Sequence, residues 1–304
     1  PLPFSLTEQH YRQGGPNDYL PYMENPGIKD AAINLNQYLK LIRDDHQGLK
    51  VPTKFGSYNS VPSKSLFLPL DTTDLKNRDL VPESMIPERM VFNLRRNGLE
   101  KNTLMILDLI VENNWKRPIY FNNTSLQGIS VNLNDYVVQE GNTYRLLPVR
   151  NPNARSELVN SEIMYRNVMN EFRFRGLNDP KVYNSIDHRQ FALNHRSTFN
   201  SLANALIREN QIEKAREVLH RSLEAISDEG VLYDYTTTQT IKLLYAVGEN
   251  EKALEIAKIM GERANEALIY FTRYNISIEF ETQKNLAILN DLVNTMKSYN
   301  EDEL

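Results

Sequence analysis

The sequence contains no cysteine, and this excludes disulfide bonds, thiolate nucleophiles and cysteine-ligated zinc or iron–sulfur centres. It has no excess of basic residues either, since 35 Lys and Arg stand against 39 Asp and Glu, for a net charge of −4. Without a cluster of cations to neutralise phosphates, nucleic acid is not an expected partner. The densest apolar run, residues 103–111, is interrupted by Asp108 and falls short of the roughly 18–20 residues that span a bilayer.

Familiar catalytic and metal-binding patterns are lacking as well. No two of the five histidines have the i, i+4 spacing of a zinc-binding helix, although His188 and His195 are spaced to share one helix face. There is no glycine-rich phosphate loop and no nucleophile elbow, and the acidic residues fall in turns and on helix surfaces rather than as the opposed pair of a glycosidase. We therefore predict no catalytic residue, no metal and no cofactor in this chain. An independent carbohydrate hydrolase is the least favoured function.

Proline and short β-prone runs mark the first half of the chain. Twelve of the 14 prolines precede residue 150, and helical patterns cover only residues 28–45 and 102–114. Aromatic and β-branched runs bounded by turns predict strands, over residues 65–70, 89–94, 117–122, 136–140 and 143–149. The succession of strand, buried helix and strand around residues 102–114 resembles half of a βαβ unit, and Gly-Asn at 141–142 predicts a hairpin. We predict a small α/β domain over residues 1–150.

From residue 151 the hydrophobic period becomes helical and stays so to the end of the chain. At an offset of 38 residues the turn residue Asn210 matches Gly248, and Ala215 matches Ala253. This spacing is close to that of the tetratricopeptide helix pair, in which a small residue after the turn lets two helices cross closely. We predict an α+β protein whose residues 151–304 form an all-α, tetratricopeptide-like domain of helical hairpins. An ordinary helical bundle is the alternative.

Other helices of this half are predicted from caps and spacing. A helix over residues 156–176 is expected to end at Gly176. Asp187, with Gln190 three residues later, predicts a capping box at the start of the next helix. The last helix is expected to bury one apolar face, made of Leu286, Leu289, Val293 and Met296.

The only tryptophan, Trp115, directly follows the most apolar helix, in the run WKRPIYF. Pro118 cannot continue a helix and suits the first position of a strand, so this run ends the helix, turns the chain and begins a strand. Two interpretations of the indole ring stay open. It is either an anchor that closes the end of the buried helix, or a platform that stacks on a sugar or a peptide beside Arg117.

Two stretches carry a family resemblance: WKRPIYF and, shortly after it, EGNTYRLLP. The sequence resembles the soluble C-terminal region of a family of large Bacteroidetes membrane proteins, domain of unknown function 2723, which is placed among protein O-mannosyltransferase-like enzymes of glycosyltransferase family 117. The motif residues that carry the resemblance are Trp115, Arg117, Pro118, Tyr120, Glu140, Gly141, Tyr144 and Arg145.

The resemblance implies a non-catalytic domain on the periplasmic face of a bacterial inner membrane. In that family a multi-helix membrane part comes first and is thought to hold the donor site and the catalytic acid. The sequence begins with Pro rather than Met, and we expect a processed protein or a piece of a longer one.

Two functions are expected from these observations. The first is an accessory domain that recruits or positions a protein or glycan acceptor beside a membrane-embedded transferase, with the N-terminal membrane region of the same protein as a second partner. The alternative is a tetratricopeptide-like scaffold for cell-envelope protein assembly, unrelated to sugar transfer.

The helix register also predicts a polar groove on the helical domain. Asparagine amides there are expected to bind a peptide backbone, and nearby cations a carboxylate, unless the groove is only a hydrated helix face. The predicted groove residues are Arg196, Asn200, Asn204, Arg208, Thr238, Lys242 and Tyr245.

Overall fold

The computed structural model describes residues 2–25, 27, 31–54, 56–78, 80–151, 158–274 and 278–299. The chain forms two compact units, the first of Pro1–Gln139 and Thr143–Leu158, and the second of Glu140–Asn142 and Val159–Leu304. The first unit mixes short strands with helices, and the second is helical. The predicted α+β class is therefore confirmed.

The first unit has two longer helices among shorter ones. Its helices are α1 (Glu8–Tyr11), α2 (Leu35–Arg43), α3 (Thr72–Asn77), α4 (Lys101–Asn113) and α5 (Asn123–Gly128), with single 3₁₀ turns at Gln47–Leu49, Glu83–Met85 and Asn134–Tyr136. The strands of the chain are β1 (Tyr19–Pro21), β2 (Ile33–Asn34), β3 (Lys50–Thr53), β4 (Gly56–Asn59), β5 (Ser65–Pro69), β6 (Arg89–Asn93), β7 (Gly98–Glu100), β8 (Ile119–Asn122), β9 (Val137–Gln139), β10 (Thr143–Leu146) and β11 (Leu158–Val159).

The strands of the first unit pair in small, mostly antiparallel groups. β5 lies between β2, which is parallel to it, and β6, which is antiparallel. β10 lies between β8 and β9 and is antiparallel to both, so the predicted hairpin is confirmed. The predicted βαβ arrangement is wrong, because β6 and β8 belong to different sheets. A further strand, β7, intervenes between β6 and α4 and pairs with β1 instead.

Helix α2 begins later than its hydrophobic pattern predicts. The side chain of Asn34 accepts hydrogen bonds from the backbone N–H groups of Asn36 and Gln37, at 2.9 and 3.4 Å, and so caps the helix. Ile33 and Asn34 form strand β2 rather than helix, and residues 28–30 lie outside the described residues. The helix still presents its apolar face to the core, through Leu35, Tyr38, Leu39 and Ile42.

Helix α4 carries a buried carboxylate at the centre of this unit. Asp108 has 0% of its surface exposed. It accepts hydrogen bonds from the backbone N–H groups of Ser5 and Leu6, both at 3.0 Å, from the Ser5 hydroxyl at 2.6 Å and from the Tyr11 hydroxyl at 2.9 Å. Burial and the nearby Asp108 charge raise the pKa of Tyr11, so its hydroxyl remains a donor. Asp108 thus ties the N-terminal segment to the core.

The second unit begins with a short helix that changes type. Its helices are α6 (Ser161–Arg166), which passes into a π-helical turn at Asn167–Glu171, then α7 (Ile186–Arg208), α8 (Ile212–Ala225), α9 (Tyr235–Ala246), α10 (Asn250–Arg273) and α11 (Glu279–Ser298). The backbone N–H of Phe172 donates a hydrogen bond to the Asn167 carbonyl at 2.9 Å, and the π-helical turn ends at this residue. A single helix ending at Gly176 is therefore wrong, and its predicted start at residues 156–157 lies outside the described residues.

The start of α7 also differs from the prediction. Ser185 caps this helix by accepting a hydrogen bond from the backbone N–H of His188 at 3.3 Å. The predicted cap, Asp187, lies inside the first turn. A carboxylate in the first turn is favoured by the helix dipole, which explains why the residue resembles a cap in the sequence.

Two helical hairpins, α7–α8 and α9–α10, share the same turn. Asn210 and Gly248 both have left-handed backbones, with φ of 58° and 83°. The next residue of each turn donates its N–H one turn back, as Gln211 to Leu206 at 2.8 Å and Glu249 to Leu244 at 2.9 Å. Ala215 and Ala253 are fully buried. The predicted register of the repeat is confirmed, and its relation to tetratricopeptide proteins stays a prediction.

The prediction for the last helix, α11, is right for two of its four residues. Met296 is buried and Leu289 packs half-buried against the core, whereas Leu286 and Val293 are exposed, by 53% and 39%. The buried side chains of this helix, which packs on α9 and α10, are Asn285, Ile288, Leu292, Thr295 and Met296. Polar Asn285 and Thr295 belong to the buried stripe because the Asn285 amide nitrogen and the Thr295 hydroxyl donate to carbonyls one turn earlier in the same helix, at 2.8 and 2.7 Å.

Candidate functional site

Arg196, predicted to face a groove, is instead a structural residue. Only 2% of its surface is exposed. Its guanidinium donates hydrogen bonds to the carbonyls of Leu232 at 2.8 Å, Ile226 at 3.1 Å and Val231. Burial lowers its pKa to about 10, so it remains charged at neutral pH. The groove prediction is wrong for Arg196, which holds the 226–232 loop in place.

Asn200 and Tyr245 are also turned inward. The Asn200 amide donates to the Thr236 carbonyl at 3.0 Å and accepts from the Thr240 hydroxyl at 2.9 Å, so it links α7 to α9. The Tyr245 ring is buried and stacks on Tyr299, with ring centroids 4.3 Å apart. Their predicted outward orientation is wrong, because the Asn200 amide is paired between two helices and the Tyr245 ring packs on another ring.

Of the other groove residues, Asn204, Arg208 and Lys242 lie nearer the surface. Thr238 is buried and shares the Asp291 carboxylate with Lys242, at 2.8 and 3.0 Å. Asn204 and Arg208 are exposed and have no hydrogen bond or ion pair among the described residues. The predicted groove is therefore reduced to these two side chains and a cation that is already paired, and ligand binding there stays a prediction.

The motif residues of the family resemblance lie on neighbouring elements. Tyr120 is paired with Arg145 across β8 and β10, and Tyr144 lies opposite Phe121 in the same register. Trp115 is half-buried against the core of the first unit. The remaining motif residues differ in exposure, with Arg117 and Pro118 exposed, and Glu140 and Gly141 buried in the second unit.

His195 is a half-buried histidine of the second unit whose ring accepts a hydrogen bond. Its Nδ1 lies 3.0 Å from the amide nitrogen of Asn142, whose oxygen accepts from the Thr198 hydroxyl at 2.6 Å. This amide donates to an unprotonated ring nitrogen. Burial lowers the pKa of His195 below its ordinary value of 6.5. The unfolded chain therefore binds the proton more readily than the folded unit does.

Stability of the second unit is accordingly expected to fall as the pH drops below 6.5 towards the folded pKa. One proton gives a slope of at most about 1.4 kcal/mol per pH unit. Thermal unfolding followed by far-UV circular dichroism above and below that pH measures the slope. His195→Gln should flatten it, and the exposed His188→Gln should not. Equal slopes in all three proteins would contradict this assignment.

A cleft that sequence reasoning missed lies in the second unit, with a volume of about 420 Å³. We call it the α7–α10–α11 cleft. Its apolar lining comes from α7, α10, α11 and the 231–233 loop, as Leu193, Val231, Leu232, Tyr233, Met260, Ala264, Ala267, Phe271 and Ile288. The small residues Ala264 and Ala267, one turn apart on α10, are the one sequence feature that indicates space beside that helix.

Charged and polar groups surround this apolar lining. Arg263 donates to both oxygens of Asp228, at 2.9 and 2.7 Å. Burial alone would raise the pKa of Asp228, but these bonds, with one from the Tyr233 backbone N–H, lower it below its ordinary value. Lys284 lies 2.7 Å from Glu281. These charges are therefore paired within the protein.

Three groups at the cleft are available to a ligand. The Arg189 guanidinium uses its Nε to bond the Asn184 carbonyl at 3.1 Å, which leaves its terminal nitrogens without a partner among the described residues. Asn285 spends its amide nitrogen on the Glu281 carbonyl at 2.8 Å and keeps its amide oxygen. The Tyr233 hydroxyl likewise has no hydrogen bond within the described part of the chain, and burial raises its pKa. The cleft thus offers a cation, an acceptor and a neutral hydroxyl around an apolar floor.

The described ranges contain no group of three or more His, Asp or Glu side chains that could hold a metal ion. Among the same residues, no helix combines the length and apolar character needed to cross a membrane.

Comparison with known protein families gives a match over the first half of the chain. Residues 1–163 match the family described as TMEM260-associated domain 2. No curated protein and no solved structure gives a match to the chain. The matched segment covers more than half of the 304 residues. The chain therefore belongs to the TMEM260-associated domain 2 family.

Proposed function

We propose that the chain is a non-catalytic accessory domain of a membrane-anchored, glycosyltransferase-like protein, and that its helical unit recruits an acceptor polypeptide. The family description, TMEM260-associated domain 2, supports the accessory role beside a membrane protein. The resemblance to domain of unknown function 2723 supports the transferase context, the periplasmic location and the membrane region of the same protein as a partner.

The α7–α10–α11 cleft is the observation that carries the recruiting role. Its volume of about 420 Å³ lies within the range of pockets that bind small ligands or single anchoring side chains. The apolar floor suits one aromatic or aliphatic side chain. Arg189, whose terminal nitrogens have no partner in the described part of the chain, suits a neighbouring carboxylate. The Asn285 amide oxygen is placed to accept a backbone N–H. The occupant that fits is an extended segment with an apolar residue next to an acidic one.

A scaffold for envelope assembly is the second candidate, and the repeated hairpins α7–α8 and α9–α10 favour it. Stacked helical hairpins present extended surfaces to protein partners. The two functions differ in what binds. An accessory domain should retain the membrane region of its own protein, whereas a scaffold should retain other envelope proteins without it.

Calorimetric titration with short peptides tests the cleft. Peptides that carry one phenylalanine next to a glutamate should bind, and matched peptides with glutamine should bind at least about tenfold more weakly. A hydrogen bond to a charged group contributes about 1.5–3 kcal/mol, and about 1.4 kcal/mol is tenfold in affinity. Arg189→Glu should remove the preference for glutamate.

Arg208→Glu is the matched control, because Arg208 is an exposed arginine on the same helix, α7, and does not line the cleft. It should bind the peptides as the unmodified protein does. If Arg208→Glu rather than Arg189→Glu abolished binding, the peptides would bind at the part of the predicted groove that stays exposed, Asn204 and Arg208. Absence of binding to every peptide would refute the recruiting role.

A further inference from the structure

Trp115 is held in an unfavourable backbone conformation. Asn114 and Trp115 have consecutive left-handed backbones, with φ of 39° and 61°. Asparagine tolerates this conformation, but a bulky residue such as tryptophan rarely adopts it. Two hydrogen bonds fix the turn, from the Asn113 amide to the Arg117 carbonyl at 2.8 Å and from the Arg78 guanidinium to the Asn114 carbonyl at 2.9 Å. The surrounding structure thus fixes where the indole ring lies.

The ring borders a cavity of about 320 Å³ in the first unit. We call it the Trp115 cavity. Its polar lining comes from the first turn of α2, from α3 with its cap and from the C-terminal end of α4, as Asn36, Asp71, Asp74, Glu112 and Asn114. One half-buried aromatic ring is therefore surrounded by carboxylates and amides, with Trp115 itself packed against the core.

Several of these polar groups are free to bind a ligand. Asp71 uses Oδ1 to cap α3, accepting from the backbone N–H groups of Thr73 and Asp74 at 3.1 and 3.0 Å, which leaves Oδ2. Glu112 is exposed and has no ion pair among the described residues, and the Trp115 indole N–H has no hydrogen bond among them. The cavity therefore offers carboxylate acceptors, with the indole N–H and the amide groups of Asn36 and Asn114 as donors, beside an aromatic ring.

The chemistry of this lining limits the ligand. Asp74 is paired with Arg78, whereas Asp71 and Glu112 have no ion pair among the described residues and repel anions. The same residues contain no group of three or more acidic or histidine side chains that could hold a metal. A neutral sugar presents hydroxyl donors that suit carboxylate and amide oxygens, and its C–H face packs against an aromatic ring. We infer that the Trp115 cavity is a binding site for a neutral pyranose ring. This inference deepens the proposed function, because it identifies the acceptor as one that carries a glycan. It rests on the proposed function only for the molecule from which the sugar comes.

The test is a titration of the whole chain with methyl pyranosides of glucose, mannose and galactose. Because Trp115 is the only tryptophan, its fluorescence and its indole N–H signal in an NMR spectrum report on the cavity alone. At least one glycoside is expected to give a saturable change. Glu112→Ala, which alters an exposed side chain, should weaken that binding about tenfold, the effect of losing a hydrogen bond to a charged group. Trp115→Ala, followed by calorimetry, should abolish it.

Tyr120→Ala is the matched control, since Tyr120 is an exposed aromatic residue of the same unit outside the cavity lining. It should bind the sugar with unchanged affinity. Lysine methyl ester serves as the competing probe. A saturable response to the lysine ester and none to the sugars would assign the cavity to cations and overturn the inference, as would no response to either. Peptide binding at the α7–α10–α11 cleft is measured separately, so failure of the sugar site leaves the recruiting role to be judged by its own titration.

Discussion

Replacing Asp108 with alanine is expected to lower the free energy of unfolding of the first unit by about 3–5 kcal/mol, because several buried donors lose the acceptor that they share. The substitution leaves the backbone N–H groups of Ser5 and Leu6 and the Tyr11 hydroxyl without their acceptor. Each unpaired buried donor costs about 1–3 kcal/mol unless the segment detaches into water. Denaturant unfolding followed by Trp115 fluorescence measures the loss, because the only tryptophan lies in this unit.

Glu112→Ala is the control for this measurement, since it removes an exposed carboxylate from the same helix, α4. Its effect should stay within about 0.5 kcal/mol, as for most surface substitutions. Tyr11→Phe removes only one donor and should cost about 1 kcal/mol. A loss below about 1 kcal/mol for Asp108→Ala would show that the N-terminal segment is not held by this carboxylate.

Replacing Arg196 with alanine is expected to destabilise the second unit by about 3–5 kcal/mol. The change leaves the carbonyls of Ile226, Val231 and Leu232 without their donor and opens a cavity where the long side chain was buried. Arg196→Lys should recover only part of the loss, because one ammonium cannot reproduce the planar fork of donors. Far-UV circular dichroism is the suitable probe, since the second unit holds the longest helices of the chain.

Arg208→Ala on the same helix is the matched comparison, because Arg208 is exposed and makes no ion pair over the described residues. It should change stability by no more than about 0.5 kcal/mol. Equal, small effects at both positions would mean that Arg196 reaches solvent as its sequence register suggested, and that the 226–232 loop is held by other contacts.

The parts of the fold that the sequence predicted are those determined by local patterns. Phe199, Leu202 and Leu206 follow one helical stripe, and all three are buried. The turn residues Asn210 and Gly248 mark the ends of helices by their own backbone preferences. Such features depend on residues only a few positions away in the chain, so they can be predicted from a single sequence.

The parts that the sequence did not predict depend on distant partners. A helical register places Arg196 and Asn200 outside the apolar stripe, and polarity suggested that they face water. Their partners are carbonyls and hydroxyls 30–40 positions later, which satisfy them inside the protein. Spacing alone cannot separate a solvated polar side chain from one paired across two helices. The α7–α10–α11 cleft was missed for the same reason, since its walls come from helices far apart in the chain.

The Asp108 anchor also bears on the order of events during synthesis of the protein. Ser5 leaves the ribosome 103 residues before the carboxylate that holds it. At about 5–20 residues per second, that interval is about 5–20 s. Throughout this time the N-terminal segment has no anchor and is open to chaperones and proteases. The hairpins α7–α8 and α9–α10 close within a few tens of residues, and each is free to form as soon as it emerges. The slow step in the folding of the first unit during synthesis is therefore expected to be the interval between the synthesis of Ser5 and Leu6 and that of helix α4, which anchors them.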